Sequence, residues 1–342
     1  MPKNLPRDIS ITNHNATTNN KTQQLQNLLL IMKKNRFTVL TSKQPQTECE
    51  GYPPIPFPSR QQDEQRFYLL RKNASNLACS MIYHESNDSS HFWRKFKVGG
   101  RAFSKLDRSK KVVIICHGAF SWRNQMLLVG LATTISQELS CHTLRFDFSG
   151  NGHSEGKWKF SDYNGDFEDL CSIVDFVHSI GCEIAFIMGH SQGSFSALKH
   201  ASEYGGLLGI PLYVNLAGRF VRKNEFDPNE KFSPDLMEQL KSKGHFNALI
   251  RGGRAYEVTL NDIEKRRASD ISDIVSRIEA KVLTIHGGQD EAIHCRNANA
   301  FAQTVKNHTL HVIPKANHNF NGFMFIEEIV NKIREVIAYL QN

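Results

Sequence analysis

The segment Ile184-Ala-Phe-Ile-Met188-Gly189-His190-Ser191-Gln192-Gly193-Ser-Phe195-Ser-Ala-Leu198 joins three kinds of sequence. A short apolar run reads as a buried strand, G-x-S-x-G follows it, and apolar residues at helical spacing (Phe195, Leu198, Ala201) come next. A serine at the apex of a strained strand-to-helix turn exposes its hydroxyl, and only glycine leaves room for the backbone on either side. The pentapeptide by itself is common. Strand before and helix after are the context that makes it a nucleophile elbow, with Ser191 at its tip.

On both sides of this segment, short β-branched runs alternate with longer stretches of helical period, the grammar of a parallel sheet wound by helices. Arg66–Arg71 and Leu77–Tyr83 read as an opening hairpin. Lys111–Cys116 is continuously apolar, as a strand buried on both faces is. A helix is expected over Gln125–Leu139, a strand over Cys141–Asp147, and a helix near Phe167–His178. Further strands follow at Glu183–Met188, Pro211–Leu216, Lys281–His286 and Thr309–Ile313. The last helix carries Ile326, Ile329, Val330, Ile333, Val336, Ile337 and Leu340. Phe220–Glu279 breaks the rhythm. A crossover needs only about a dozen residues, so the surplus predicts a small inserted helical cap between the sixth and seventh strands, with helices near Asp235–Lys243 and Asn261–Arg267, the second capped by Thr259 or Asn261.

Residues 1–63 are rich in Asn, Gln, Thr and Lys and then Pro, with little apolar periodicity, and are expected to be a mostly disordered tail. One amphipathic piece, Leu25–Met32, stands within it. The folded domain is expected over 64–342, with its cap at about 220–279.

A serine hydroxyl is a weak nucleophile at neutral pH and needs a base, which in turn needs a carboxylate to orient it. In this strand order the acid and then the histidine follow the serine. Asp290 lies just past the strand ending at His286, in His-Gly-Gly-Gln-Asp, with Glu291 as its rival. His318 occupies the loop after the last strand, whereas His308 precedes that strand and His311 lies within it. The tetrahedral intermediate needs two preorganised donors. The backbone N–H of Gln192 supplies one, and His117-Gly118-Ala119-Phe120, just after a strand, points to the N–H of Ala119 as the other. Asp147 and His153 read as a structural loop around Gly150 and Gly152.

The chain has 342 residues, 40% hydrophobic and 22% charged, enough for one large core. No run of 18 apolar residues occurs and no secretory signal is recognised, which predicts an intracellular, cytoplasmic protein. Seven cysteines without C-x-x-C spacing argue against a disulfide framework. No metal-ligand spacing and no G-x-x-x-x-G-K occur, so neither cofactor nor metal is expected. Of the net charge of +8, the densest part is Arg94–Lys111. It reads as a solvated loop or a site of weak contact with a membrane surface; no nucleic-acid module accompanies it. Oligomeric state is not legible.

These motifs resemble the α/β-hydrolase superfamily, in particular the group of monoglyceride lipases, cinnamoyl and feruloyl esterases and serine aminopeptidase-like domains. Arg145–Gly156 (RFDFSGNGHSEG), Gly189–Gly193, Asn215–Phe220 (NLAGRF) and His286–Asp290 carry the resemblance, which covers about residues 66–342. It implies a mostly parallel central sheet flanked by helices, a small helical cap, the triad Ser191, Asp290 and His318, and an oxyanion hole at Ala119 and Gln192. The expected chemistry is hydrolysis of a small-molecule acyl ester through an acyl-enzyme. A serine peptidase or acyltransferase would use the same residues, and a catalytically silent member would act as a binding protein.

Overall fold

The computed structural model describes residues 38–40, 64–71, 74–83, 106–249 and 255–342. In chain order the first elements are β1 (Thr38–Leu40), β2 (Glu64–Leu70), β3 (Leu77–Ile82), β4 (Val112–Cys116), α1 (Met126–Glu138), β5 (His142–Phe146), α2 (Tyr163–Ser179), β6 (Ile184–His190), α3 (Gln192–His200) and β7 (Leu212–Leu216). An insertion follows, made of α4 (Pro228–Lys231), α5 (Pro234–Lys243), β8 (His245–Leu249), β9 (Ala255–Thr259), α6 (Leu260–Ala268) and α7 (Ser272–Ser276). The chain then completes its sheet with β10 (Lys281–Gly287), α8 (Arg296–Thr304), β11 (His308–Ile313) and α9 (Phe323–Gln341).

Among the described residues, nine strands form one sheet in the order β1-β2-β3-β5-β4-β6-β7-β10-β11. The hairpin β2–β3 joins it antiparallel, and all pairings from β5 through β11 are parallel. The continuous apolar runs explain why: β4 and β7 are buried at every position, because helices cover both faces. Side chains alternate along β4. Val112, Ile114 and Cys116 enter one core with Leu170, Ile173, Phe195 and Leu198 of α2 and α3. Val113 and Ile115 enter the other with Leu128, Leu131 and Ile135 of α1 and Ile329 and Ile333 of α9.

The insertion lies where the sequence places it, between the strands that are sixth and seventh when β1 is not counted. It carries the two expected helices. Thr259 is the cap of α6: its hydroxyl accepts from the Asp262 N–H at 3.2 Å, and the Asp262 carboxylate accepts from the Thr259 N–H at 2.9 Å. Between the helices lies an antiparallel ribbon, β8–β9, that was not expected. Its period is two residues. Phe246, Ala248 and Val258 point into a cap core with Phe232, Met237, Leu240 and Ile263, while Asn247 and Glu257 face outward.

Within the segment read as a tail, Thr38–Leu40 pairs with β2 as an edge strand. The rest of 1–63, including Leu25–Met32, lies outside the described residues, as do residues 94–105 of the basic segment. Among the described residues no helix is long and apolar enough to cross a membrane.

Candidate active site

The turn from β6 to α3 puts Ser191 at φ 53° and ψ −118°, a conformation that L-residues adopt only where the surroundings impose it. Those surroundings are backbone. A Cβ on Gly189 would stand 2.3 Å from the Gly193 carbonyl oxygen, and one on Gly193 would stand 2.4 Å from that of His117. The two glycines of the motif are thus demanded by close packing of strand, turn and helix. The Ser191 N–H donates to Leu216 O at 2.8 Å and fixes the turn against β7.

His318 hangs in the loop between β11 and α9. Its Nδ1 lies 2.7 Å from Asp290 Oδ2 and its Nε2 lies 3.1 Å from Ser191 Oγ. A carboxylate only accepts, so Nδ1–H is the donor and Nε2 is left as an acceptor facing the Ser191 hydroxyl. Asp290 follows β10, with its side chain fully buried. Its Oδ1 accepts from the N–H groups of Ala292 at 2.9 Å and Ile293 at 2.7 Å. His286 Nε2 donates to Ile293 O at 2.7 Å and stands 3.3 Å from Asp290 Oδ2. Burial pushes the Asp290 carboxyl upward, but the bonds from His286, His318 and the Ile293 N–H outweigh it and hold the group below the ordinary carboxylate range. Glu291 is exposed.

The turn after β4 lies directly against the serine: a Cβ on Gly118 would be 3.0 Å from Ser191 Cβ. His117 braces this turn, donating Nδ1–H to Gly118 O at 2.7 Å and accepting the Phe148 N–H on Nε2 at 3.0 Å. Gln192 opens α3, so its N–H has no partner within the helix. The Gln192 side chain donates to Asp166 Oδ2 at 2.7 Å, and burial raises that carboxyl to about 7. Ala119 and Gln192 border one pocket with Ser191 and His318, about 980 Å³ in volume.

Asp147 has another task. Its carboxylate accepts from the N–H groups of Arg123 at 2.6 Å and His153 at 2.8 Å and pairs with the Arg123 guanidinium. A Cβ on Gly152 would stand 2.2 Å from Asp147 Oδ2, so the glycine turn is shaped around a buried carboxylate. Among the described residues no cluster of three or more His, Cys, Asp or Glu is placed to hold a metal ion.

The model of the alpha/beta hydrolase family matches residues 113–328, more than half of the chain. The chain belongs to that family. Among solved structures, this alpha/beta hydrolase is similar to Est1E from Butyrivibrio proteoclasticus with ferulic acid bound, at 20% identity, 78% of this chain, 96% of that one and a TM-score of 0.58. It is also similar to a putative hydrolase from Agrobacterium vitis, at 15% identity, 81% and 100% coverage and a TM-score of 0.60. The third likeness is to alpha/beta hydrolase domain-containing protein 10 from mouse, at 16% identity, 80% and 99% coverage and a TM-score of 0.58. No curated protein sequence matches the chain.

Two features of the hydrolase site escape the sequence. His190, the variable residue before the serine, donates its Nε2–H to the carbonyl of His318 at 2.9 Å. An aromatic wall also closes over the pocket. Trp158 lies 4.6 Å from Phe120 and 4.7 Å from Tyr256 between ring centroids, joining the loop after β5, the turn after β4 and the cap. The only signal for it is the pair Trp158 and Phe160 in an otherwise polar loop.

Proposed function

We propose that this alpha/beta hydrolase is a serine hydrolase that cleaves an acyl ester. The observation that carries the reading is the unbroken relay from Asp290 Oδ2 through His318 to Ser191 Oγ, with links of 2.7 and 3.1 Å. Ser191 attacks the ester carbonyl while His318 takes its proton on Nε2, and Asp290 stabilises the imidazolium. The N–H groups of Ala119 and Gln192 receive the oxyanion. Collapse expels the alcohol, protonated by His318, and leaves an acyl-enzyme on Ser191. Water, deprotonated by the same imidazole, then releases the acid.

The ester class is supported by the likeness to Est1E and to the Pyrococcus furiosus esterase Pf2001, and by a pocket walled with aromatic side chains. Labelling with a fluorophosphonate and a screen of p-nitrophenyl esters test it. Ser191→Ala is expected to abolish both labelling and turnover with the fold intact. Labelling that persists at another serine would overturn the assignment of Ser191. Labelling without ester turnover would move the reading to a peptidase or an acyltransferase.

A further inference from the structure

Arg266, on α6 of the cap, borders the same pocket as Ser191 and His318. Its guanidinium lies over the rings of Tyr163 and Phe226, 5.2 and 5.6 Å from their centroids. Nη1 is sealed from solvent and has no hydrogen-bond partner among the described residues. Among those residues no neighbouring carboxylate offsets the burial, which draws the group down to about 10. It therefore stays charged at neutral pH. A half-buried cation with no counter-charge is costly, and two ring faces return only part of that cost.

Acidic side chains at the pocket do not balance it. Glu225 pairs with Arg222 at 3.4 Å. Asp227 accepts from the N–H and side-chain amide of Asn229, both at 2.8 Å, and Glu230 is exposed. The lining holds five arginines and lysines against three acidic residues. A continuous aromatic track links Arg266 to the serine: Phe195 stands one turn of α3 beyond Ser191, Tyr163 stacks on Phe195 at 4.4 Å, and Arg266 covers Tyr163. A ligand reaching from Ser191 to Arg266 would lie along those rings.

We propose that the ester cleaved at Ser191 carries a carboxylate at the end remote from the scissile bond, and that Arg266 binds it, with an apolar or aromatic spacer lying against Phe195 and Tyr163. One guanidinium balances one negative charge, which favours a carboxylate over a phosphate dianion, whose charge calls for several donors. The inference rests on the esterase reading, since it names the substrate class of that site.

Mono-p-nitrophenyl esters of dicarboxylic acids are compared with p-nitrophenyl alkanoates of matched length, and 4-acyloxybenzoates with the corresponding benzamides, which places the charge on the acyl side and on the alcohol side. In one of the two arms kcat/KM is expected to favour the anionic ester by about tenfold or more. Arg266→Gln removes that preference, the anionic ester losing far more through KM than its neutral counterpart, and Arg266→Lys restores part of it. No preference in either arm, or a preference that Arg266→Gln retains, overturns the proposal while ester hydrolysis stands. If Arg266→Gln does not fold, the preference of the unaltered protein decides alone. Calorimetry on Ser191→Ala gives a readout free of turnover: monomethyl adipate against dimethyl adipate, or 4-acetoxybenzoate against 4-acetoxybenzamide, is expected to show tighter binding of the anion in the arm that turnover favours, and equal binding in both pairs overturns the proposal. Failure of all ester turnover and of fluorophosphonate labelling would sink the esterase reading instead.

Discussion

His190 donates its Nε2–H to the carbonyl of His318, 2.9 Å away, so the residue before Ser191 holds the backbone of His318. The His190 ring is buried and packs 5.0 Å from that of His318. Burial, aided by the neighbouring imidazole, lowers His190 to about 4, and it stays neutral where an esterase works. Replacing it by Phe removes the donor and frees the His318 loop. We expect kcat to fall about ten- to a hundredfold, as for sub-ångström misplacement of a catalytic group, with KM little changed. Steady-state kinetics check this, and a change confined to KM would give His190 a role in binding instead.

Asp290 and Glu291 differ in burial and partners, and this decides between two adjacent carboxylates. Asp290→Asn leaves an amide where His318 Nδ1–H needs an acceptor, so the wrong tautomer is favoured; the loss of kcat is expected to be about ten-thousandfold. Glu291→Gln alters an exposed group and should stay within about twofold. Measuring both variants on one ester compares them directly, and equal losses would remove Asp290 from the relay.

Ser191, Asp290 and His318, which the structure brings within hydrogen-bond distance of one another, could be picked out because each follows a strand end, and strand ends are marked by apolar runs such as Ile184–Met188 and Val282–Ile285. The mostly parallel sheet follows from the alternation of strand and helix. What stayed hidden depends on contacts between segments distant in sequence. Nothing in the single residue His190 says that its ring meets a carbonyl 128 residues on. The ribbon β8–β9 consists of two five-residue strands inside a helix-prone interval, and it is packing of Phe246 and Val258 in the cap core that decides its form. Arg266 reads as one more cation of an amphipathic helix until the rings of Tyr163 and Phe226 enclose it.

Gly189 is expected to tolerate no side chain. A Cβ there would meet the Gly193 carbonyl and the Ser194 nitrogen at 2.3 and 2.5 Å, and these are backbone atoms of the elbow with nowhere to go. Gly189→Ala should cost at least about 2 kcal/mol, lowering Tm by about 5 °C, and should disturb Ser191 as well. Thermal melts and fluorophosphonate labelling rates measure the two effects, and a variant with unaltered Tm would contradict the geometry.

Stability is expected to fall in acid. Burial lowers His190 from 6.5 to about 4, His200 to about 3 and His308 to about 4. Between those values and 6.5 the unfolded chain binds protons that the folded one refuses, so the stability from these groups is full above about 6.5 and is lost as pH drops toward 4. Asp166, raised to about 7, acts in the opposite sense. Asp169, also raised, joins it, whereas His117, His153 and His178 are lowered like the first three, and the six histidines leave a net loss. Melting temperatures recorded between neutral and pH 4 should decline, and more gently for His200→Leu; a level or rising Tm would refute the sign.

A buried ion pair ties the start of β2 to the middle of the sheet. Arg145 on β5 is 1% exposed, and its Nη2 meets Glu64 Oε1 at 2.8 Å. Its Nη1 donates to Arg123 O at 2.7 Å, tying the pair to the arginine that holds Asp147. Breaking such a pair from one side leaves a buried charge without its counterpart and costs about 3–5 kcal/mol. By contrast, removal of residues 1–61 takes away the three-residue edge strand β1 and no residue of the relay. A chain beginning at Gln62 should therefore keep its esterase rate and lose only a few degrees of Tm, whereas Glu64→Ala in the full chain should lower Tm more than the truncation does. Melting curves and ester turnover of the two proteins decide it. A truncation that costs more than Glu64→Ala would show that residues before 62 belong to the folded enzyme.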